Sequence, residues 1–172
     1  MNIVRAAAAV IQRDDGFLLM AQRPAGTSWS GWWEFPGGKI ESEETPFEAL
    51  QRELKEEINI SANDAALWFE RRYTYPDKKV YIYFFKVTDW AGEIQSCENQ
   101  LLDWQDPAHV SVSPILPTNL FVLKSILLPP IYAITNIEAI ITAVLNLIIF
   151  DPTAEPNMFA ASLAPNDQPK NK

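Results

Sequence analysis

Residues 38–60 read GKIESEETPFEALQRELKEEINI, and this stretch predicts a glycine turn followed by one amphipathic helix. Thr45 is a typical N-cap, the proline after it suits the first helical position, and Glu48 closes a capping box. Asn59 suits the end of the helix, since asparagine accepts the left-handed conformation of many C-caps. We therefore expect a helix over residues 46–57.

The helical period separates an apolar stripe from an acidic arc. At about 100° per residue the apolar side chains share one face: Phe47, Leu50, Leu54 and Ile58. Glu53, Glu56 and Glu57 fall beside this stripe, so we expect them to lie side by side along the edge of a groove. Like charges at i and i+4 oppose helix formation, and Arg52 offsets only part of that. A bound cation would remove the conflict.

The candidate ligands are all oxygen donors, a set that suits Mg2+ or Mn2+ and argues against zinc. His109 is the only histidine of the chain and Cys97 its only cysteine. The sequence therefore predicts a magnesium site, with Mn2+ as a substitute.

An isolated Glu-x-x-Glu-Glu is more often an ordinary charged helix, because short motifs match by accident. Here further positions agree, at a fixed spacing: Gly38, Glu44, Arg52-Glu53-Leu54-x-Glu56-Glu57 and Ile60. This pattern resembles the box of the Nudix hydrolase family at every defined position except Asn59, where the family usually has glycine. The chain resembles most closely the MutT-type 8-oxo-dGTP diphosphatases, over residues 3–128. The similarity includes EFPGGKIE at 34–41, YPD at 75–77 and PTN at 117–119.

The resemblance implies an α+β fold, an α/β/α sandwich with a mixed central sheet, over residues 1–128. It implies Mg2+-dependent hydrolysis of oxidised purine nucleoside triphosphates, above all 8-oxo-dGTP, to a nucleoside monophosphate and pyrophosphate. Such an activity sanitises the nucleotide pool and avoids mutations. Two alternatives stay open: a pyrophosphatase for another nucleoside diphosphate derivative, and a nucleotide-binding sensor without turnover. Loss of a catalytic acid would favour the sensor, and none is missing.

The candidate site residues fall into three sets. Catalytic roles go to five residues, with Glu53 as general base and Arg52 as an orienting partner: Glu44, Arg52, Glu53, Glu56 and Glu57. The metal ligands implied by the resemblance are the Gly37 carbonyl and four carboxylates: Glu53, Glu56, Glu57 and Glu98. The candidate substrate contacts are Arg23, Phe35, Gly38, Lys39, Lys78 and Asn119.

Two of the substrate contacts carry a further expectation. We expect Asn119 at or near the cap of a closing helix over 119–128, a role that needs no substrate. The resemblance instead has an asparagine here reading the purine edge, since a carboxamide both donates and accepts hydrogen bonds. Lys78 stands where the nearest relatives carry arginine, which predicts looser selectivity.

Apolar runs predict two hairpins. Residues 6–11 and 17–22 flank an Asp-Gly turn, and residues 67–75 and 79–89 flank Pro-Asp. The last of these runs is apolar on both faces, so we expect it in the centre of the sheet. The loop over 24–31 lies next to the glycine turn, where a base could stack.

The composition limits partners and compartment. A net charge of -8 argues against a nucleic-acid surface but not against a free nucleotide. One cysteine fits a reducing cytoplasm, and the N-terminal apolar run, with Arg5 before it and acids after it, predicts a buried strand rather than a signal peptide. We therefore expect a cytoplasmic protein that binds neither nucleic acid nor membrane.

Residues 129–172 read as a separate extension. Leu128-Pro129-Pro130 resembles a linker, and residues 131–135 resemble the first strand of a thiamine-phosphate-synthase-like barrel, for which too few residues remain. Residues 137–150 are apolar but shorter than the ~20 that a membrane span needs. We expect a helix there, packed on the domain or on a second copy, in a protein that is otherwise a monomer. From residue 151 the composition predicts disorder.

Overall fold

The structure is a computed structural model that describes residues 3–128, so the expectations for 129–172 lie outside the described residues. The elements in chain order are β1 Ile3–Ile11, β2 Leu18–Gln22, β3 Trp33–Glu34, β4 Gly37–Lys39, α1 Pro46–Ile58, β5 Ser61–Thr74, β6 Lys79–Ala91, β7 Leu102–Gln105 and α2 Pro117–Ile126. Neither of the two helices described is long and apolar enough to cross a membrane.

Two sheets organise these elements. The larger has the order β4-β1-β6-β5, with β1 parallel to β6 and the other two pairs antiparallel. The smaller has the order β3-β2-β7 and is antiparallel. One core cluster joins α1 to the larger sheet, and a second joins α2 to it. The expected α/β/α sandwich with a mixed sheet is confirmed.

Strand β1 shows why the helices take opposite faces. Side chains alternate along a strand, so Ala7 and Ala9 pack with α1 while Ala8 and Val10 pack with α2. On α1 the predicted stripe is buried: Leu50, Leu54 and Ile58 are each 0% exposed. Burial of one such side chain is worth about 1.5–3 kcal/mol, so this stripe fixes the rotation of α1 and thereby the direction of its acids.

Strand β6 lies between β1 and β5, which confirms the predicted central strand. Phe85 and Val87 join the α1 cluster, whereas Ile82 and Phe84 join the other. The β5–β6 hairpin is also confirmed, and β5 begins at Ser61, six residues before the expected run.

The first predicted hairpin is wrong beyond its turn. The turn closes through Arg13 N to Phe17 O at 3.0 Å, and one bridge joins Gln12 to Leu18. Beyond this bridge β2 leaves β1 for the smaller sheet. Both edges of β1 are already paired, one with β4 and one with β6, so β2 has no free edge there.

The closing helix also differs from the expectation. It starts at Pro117, its N-cap position is Leu116 without a side-chain cap, and it ends at Ile126. Asn119 therefore lies inside the first turn and is not the cap. Its side chain is occupied elsewhere, by the amide of Phe35.

Candidate active site

Helix α1 begins and ends as its sequence predicts. The side chain of Thr45 accepts from Glu48 N, the carboxylate of Glu48 accepts from Thr45 N, and the capping box is complete. The C-cap is Asn59, in the left-handed conformation at φ 59°. With both ends fixed and one face buried, the acids of the helix are directed towards β4.

Arg52 holds the acidic residues around it. Its guanidinium donates to both carboxylate oxygens of Glu44, at 2.7 and 3.0 Å, and to Glu53 Oε1 at 2.9 Å. It also reaches Glu56 Oε2 at 3.2 Å and the carbonyl of Lys39 at 3.0 Å. Hydrogen bonds from Arg52, and then from the Glu41 amide, lower the pKa of Glu44 to about 2. Arg52 therefore fixes Glu44 and Glu53 relative to strand β4.

Glu53 lies directly against Gly38. A Cβ atom on Gly38 would overlap the carboxylate of Glu53, so only glycine lets this acid reach the strand. Burial raises the pKa of Glu53, the bond to Arg52 opposes this, and the charges of Glu56 and Glu98 add to the rise.

Glu57 turns to the neighbouring glycine. Its Oε2 accepts from the amide of Gly37 at 3.0 Å. Burial raises the pKa of Glu57 to about 8 against the hydrogen bond from Gly37, and the charges of Glu34, Glu53 and Glu98 add to the rise. Gly37 itself has φ 138°, and a Cβ there would come within 2.9 Å of Ala8 Cα and collide with the Ala7 carbonyl.

The three helix glutamates share one side of α1 but do not converge, which corrects the sequence expectation. Glu56 is exposed and follows Arg52, while Glu57 follows the Gly37 amide. Within residues 3–128 no three acidic, histidine or cysteine side chains are gathered closely enough to hold a metal ion. Like charges repel, so each carboxylate turns to its nearest donor.

The donor chemistry nevertheless fits a hard divalent cation. The acids present only oxygen, and one of them, Glu57, is partly buried beside three other carboxylates. Glu98 comes from the loop between β6 and β7, and its side chain lines a small cavity of about 10 Å3 together with Glu57. A cation would offset charges that Arg52 balances only in part.

A larger cavity of about 420 Å3 connects these acids to the face of the sheet under α2. Glu53 and Glu57 line its acid end, and Phe35, Thr118 and Asn119 line its amide end. Apolar side chains also line this cavity, among them Val80, Ile82, Phe84 and Leu116.

At the amide end, Asn119 is 4% exposed and oriented by its neighbours. Its Oδ1 accepts from the Phe35 amide at 3.1 Å, and its Nδ2 donates to Thr118 Oγ1 at 3.1 Å. The hydroxyls of Thr118 and Tyr75 lie 3.3 Å apart. An amide N–H can only donate, so the carboxamide cannot be flipped. One Nδ2 hydrogen and one Oδ1 lone pair stay available.

Arg23 lines the cavity, but its guanidinium is bonded to other residues of the protein. It forms an ion pair with Glu34 and donates from Nε to the Ser28 carbonyl at 2.6 Å. Arg23 therefore holds the loop that presents Trp29 to the cavity. Glu34 and Trp29 also line the cavity, although neither is expected there from the sequence. Glu34 is the first residue of the stretch EFPGGKIE at 34–41 that resembles the family, and this position is the sequence signal that points to it.

The two lysines of the substrate set both line the cavity. Lys39 is exposed at the end of β4. The ammonium of Lys78 lies 5.8 Å from the centre of the Tyr75 ring. The structure thus brings Arg23, Phe35, Gly38, Lys39, Lys78 and Asn119 to one cavity.

Comparisons with known proteins give matches over most of the described residues. The NUDIX domain family model matches residues 2–122. The CTP pyrophosphohydrolase of Escherichia coli is 34% identical over 73% of this chain and 92% of its own length. The 8-oxo-dGTP diphosphatase of Haemophilus influenzae is 36% identical over 69% of this chain and 87% of its own length.

Solved structures show the same fold. A MutT structure from a comparison of the Aliivibrio salmonicida and Vibrio cholerae proteins has a TM-score of 0.59 and 27% identity, over 73% of this chain and 97% of that one. A MutT Nudix hydrolase from Burkholderia pseudomallei has a TM-score of 0.66 and 22% identity, over 72% and 98%. The acid-bearing helix, its glycine strand and these relatives together place the chain in the Nudix hydrolase family.

Proposed function

We propose that this protein hydrolyses oxidised purine nucleoside triphosphates in a Mg2+-dependent reaction, with 8-oxo-dGTP as the favoured substrate. The observation that carries the proposal is the single cavity joining the oriented amide of Asn119 to the carboxylates of Glu53 and Glu57. A nucleotide has the same two parts, a base with hydrogen-bonding edges and a polyphosphate that needs cations. The products would be a nucleoside monophosphate and pyrophosphate.

The amide end suits an oxidised guanine. Guanine presents acceptors at both O6 and N7, whereas 8-oxoguanine carries a hydrogen on N7. The free Nδ2 hydrogen of Asn119 can donate to O6 while its Oδ1 accepts from N7–H. Against ordinary guanine that oxygen would face a second acceptor, and an unmatched buried polar group costs about 1–3 kcal/mol. The Asn119 amide therefore favours the oxidised base.

At the acid end the chain supplies a general base, Glu53, and further carboxylates near it. Glu53 takes the proton of the attacking water, the water oxygen bonds to a phosphorus of the chain, and the bridging P–O bond between the α- and β-phosphates breaks, which gives the nucleoside monophosphate and pyrophosphate. Arg52 holds Glu53 against β4 through its bond of 2.9 Å. Lys39, exposed at the end of β4, adds positive charge beside the phosphates.

A divalent ion would be held by the oxygen donors near Gly37. We assign this role to the Gly37 carbonyl and to four carboxylates: Glu53, Glu56, Glu57 and Glu98. When bound, Mg2+ neutralises the polyphosphate, and most of the catalysis of phosphoryl transfer comes from positioning and such charge stabilisation. Members of the family generally depend on a divalent metal ion.

The substrate is tested by comparing kcat/KM for 8-oxo-dGTP, dGTP, CTP and ADP-ribose with Mg2+. We expect 8-oxo-dGTP to exceed dGTP by about 10-fold or more, the range that one matched polar contact gives. Equal values for all four would contradict the sanitising role.

Asn119→Ala should remove the discrimination between 8-oxo-dGTP and dGTP by raising KM for the oxidised nucleotide about 10- to 100-fold. The control is Asn63→Ala, which removes an exposed asparagine of β5 that donates a hydrogen bond to Asp89 on β6. If Asn119→Ala keeps the wild-type preference for 8-oxo-dGTP, Asn119 does not recognise the base. Asn119→Ala also removes the hydrogen-bond partner of Phe35 N, so circular dichroism melting is needed to show that a changed preference does not come from loss of the fold.

A pyrimidine triphosphate is the second candidate. The E. coli relative matched over 92% of its own length is named a CTP pyrophosphohydrolase, and Lys78 departs from the arginine of the MutT-type pattern. A kcat/KM for CTP above that for 8-oxo-dGTP would favour this alternative.

A further inference from the structure

Gln100 is a buried polar side chain that has no role in the proposed mechanism described above. It lies two residues after Glu98, in the loop between β6 and β7, and is 6% exposed. Its Oε1 accepts from the Glu98 amide at 2.9 Å and from Ser96 Oγ at 2.7 Å. Its Nε2 donates to the carbonyl of Glu57 at 2.8 Å. One carboxamide thus joins the backbones of Glu57 and Glu98.

The orientation of Gln100 follows from its partners. The Glu98 amide can only donate and the Glu57 carbonyl can only accept, so a flipped carboxamide would lose both bonds. The Glu57 carbonyl belongs to the last turn of α1, where helical carbonyls lack intrahelical partners. It also accepts from Cys97 N at 2.9 Å. The last turn of α1 therefore anchors the loop that carries Glu98.

Two backbone hydrogen bonds hold the loop to the end of α1, from Cys97 N to Glu57 O at 2.9 Å and from Gln95 N to Ile58 O at 3.2 Å. Residues 93–101 contain no helix or strand, and the side chain of Glu98 is exposed. Asn99 adopts the left-handed conformation at φ 58°. In contrast, the side chain of Gln100 lines the same small cavity as the carboxylates of Glu57 and Glu98. The buried Gln100 is thus the side chain that bonds both the Glu98 amide and the Glu57 carbonyl.

We propose that Gln100 is a positioning residue that holds the Glu98 carboxylate at the metal-binding end of α1. This inference rests on the proposed function, in which Glu98 is a ligand. Groups that orient metal ligands typically contribute 10- to 100-fold in metal affinity or activity. Gln100 bonds the main chain of both Glu57 and Glu98, and Glu57 is already held by helix α1, so most of the effect of Gln100 should vanish when the Glu98 carboxylate is absent.

The test is a double-mutant cycle on the full chain with Gln100→Met and Glu98→Gln. Methionine keeps the length of the side chain and removes all three hydrogen bonds. The two readouts are Mn2+ affinity of the free protein by electron paramagnetic resonance and the Mg2+ concentration for half-maximal hydrolysis. We expect Gln100→Met to weaken Mn2+ binding about 10-fold or more in the wild type and less than about 3-fold in the Glu98→Gln background.

Gln105 provides a matched control. It is also a buried glutamine, 3% exposed, and its Oε1 accepts from Ser111 N and Ser111 Oγ at 2.8 and 3.0 Å. It lies at the end of β7 and anchors a different loop. We expect Gln105→Met to lower the melting temperature by a similar amount without changing Mn2+ affinity. If Gln100→Met does not fold, Gln100→Asn is used, since it is polar but too short to join both backbones.

An equal loss of Mn2+ affinity in both backgrounds, or an equal loss in Gln105→Met, would refute the positioning role. A Glu98→Gln variant that binds Mn2+ as tightly as the wild type would also refute the positioning role. A wild-type protein that binds Mn2+ but hydrolyses no nucleotide would refute the proposed function alone, because the Mn2+ titration needs no turnover.

Discussion

At the amide end of the cavity, Asn119 and Thr118 are buried and bonded to the chain itself, so their polar atoms have fixed directions. At the acid end, carboxylates gather around one arginine, and the most exposed of them, Glu56, has 58% of its side-chain surface accessible. A rigid amide end suits recognition of a flat base, because an oriented donor and acceptor lose little freedom on binding. An acid end with excess negative charge suits a partner that brings cations. Under the proposed function, this contrast gives selectivity to the amide end and chemistry to the acid end.

The largest expected effect is at the acid end. Glu53→Gln keeps the size of the side chain but cannot take a proton, so kcat should fall about 10^2- to 10^4-fold. The amide end is unchanged, so binding of the metal-free nucleotide, measured by calorimetry, should stay within a few-fold of the wild type. Glu93→Gln, an exposed acid after β6, serves as the control.

A Glu53→Gln variant that retains the wild-type rate would remove the general base from this position. An inactive wild-type protein that still binds the nucleotide would favour a sensor. Loss of binding together with rate would contradict the division of roles between the two ends.

A pair of adjacent glycines separates the geometry of Glu53 from the stability of the fold. In Gly38→Ala the added Cβ meets the flexible end of Glu53, which must move. We expect a roughly 10- to 100-fold loss of kcat with little change in melting temperature, since small misplacements at a reacting centre have effects of this size.

Gly37→Ala should behave in the opposite way. Its Cβ meets the backbone of Ala7 and Ala8, and its φ of 138° disfavours any side chain. We expect a loss of more than ~2 kcal/mol in the free energy of unfolding. Equal melting temperatures for the two variants would contradict this distinction.

The features predictable from the sequence are those set by local geometry. The ends of α1 follow from Thr45, Glu48 and Asn59, whose capping bonds span at most a few residues. The buried stripe follows from the helical period. The mixed sheet and the sandwich came from the resemblance to the family rather than from propensity, because strand order depends on contacts far apart in the chain.

The predictions that differ from the structure mainly concern contacts between residues that are far apart in the chain. The Asp-Gly turn was found, but its strands separate because β4 and β6 occupy both edges of β1. Asn119 looked like a cap, but its partner, Phe35 N, is 84 residues away. The directions of Glu56 and Glu57 depend on Arg52 and on the Gly37 amide, and no helical period contains that information.

The acid end should also show the stronger pH dependence. The pKa of Glu57 is raised from its ordinary 4.5 to about 8, so the free protein holds a proton there below pH 8. A metal ion needs the carboxylate and must displace this proton. Mn2+ affinity should therefore rise about tenfold per pH unit up to about pH 8 and then level off.

The same linkage predicts that the metal-free protein becomes less stable as pH rises from 4.5 to 8, because the folded state retains a proton that the unfolded state has lost. Urea unfolding between pH 5 and pH 9 measures this. Glu57→Gln should bind Mn2+ weakly at every pH and show a flatter stability profile. An affinity independent of pH below 8 would contradict the assignment of Glu57 as a ligand.

The smallest expected effect is at the edge of the amide end, where Lys78 lines the cavity near the Tyr75 ring. Lys78→Arg places a planar guanidinium there, which stacks on flat groups and donates in a fixed fork. We expect the preference for 8-oxo-dGTP over dGTP to rise about 2- to 5-fold, close to the ~0.5–1 kcal/mol of one cation–π contact. The control is Lys79→Arg, because this neighbour is exposed on β6 and does not line the cavity. A rise in kcat for both nucleotides alike would place Lys78 in the chemistry of the acid end instead, and would remove the basis for assigning selectivity to the amide end alone.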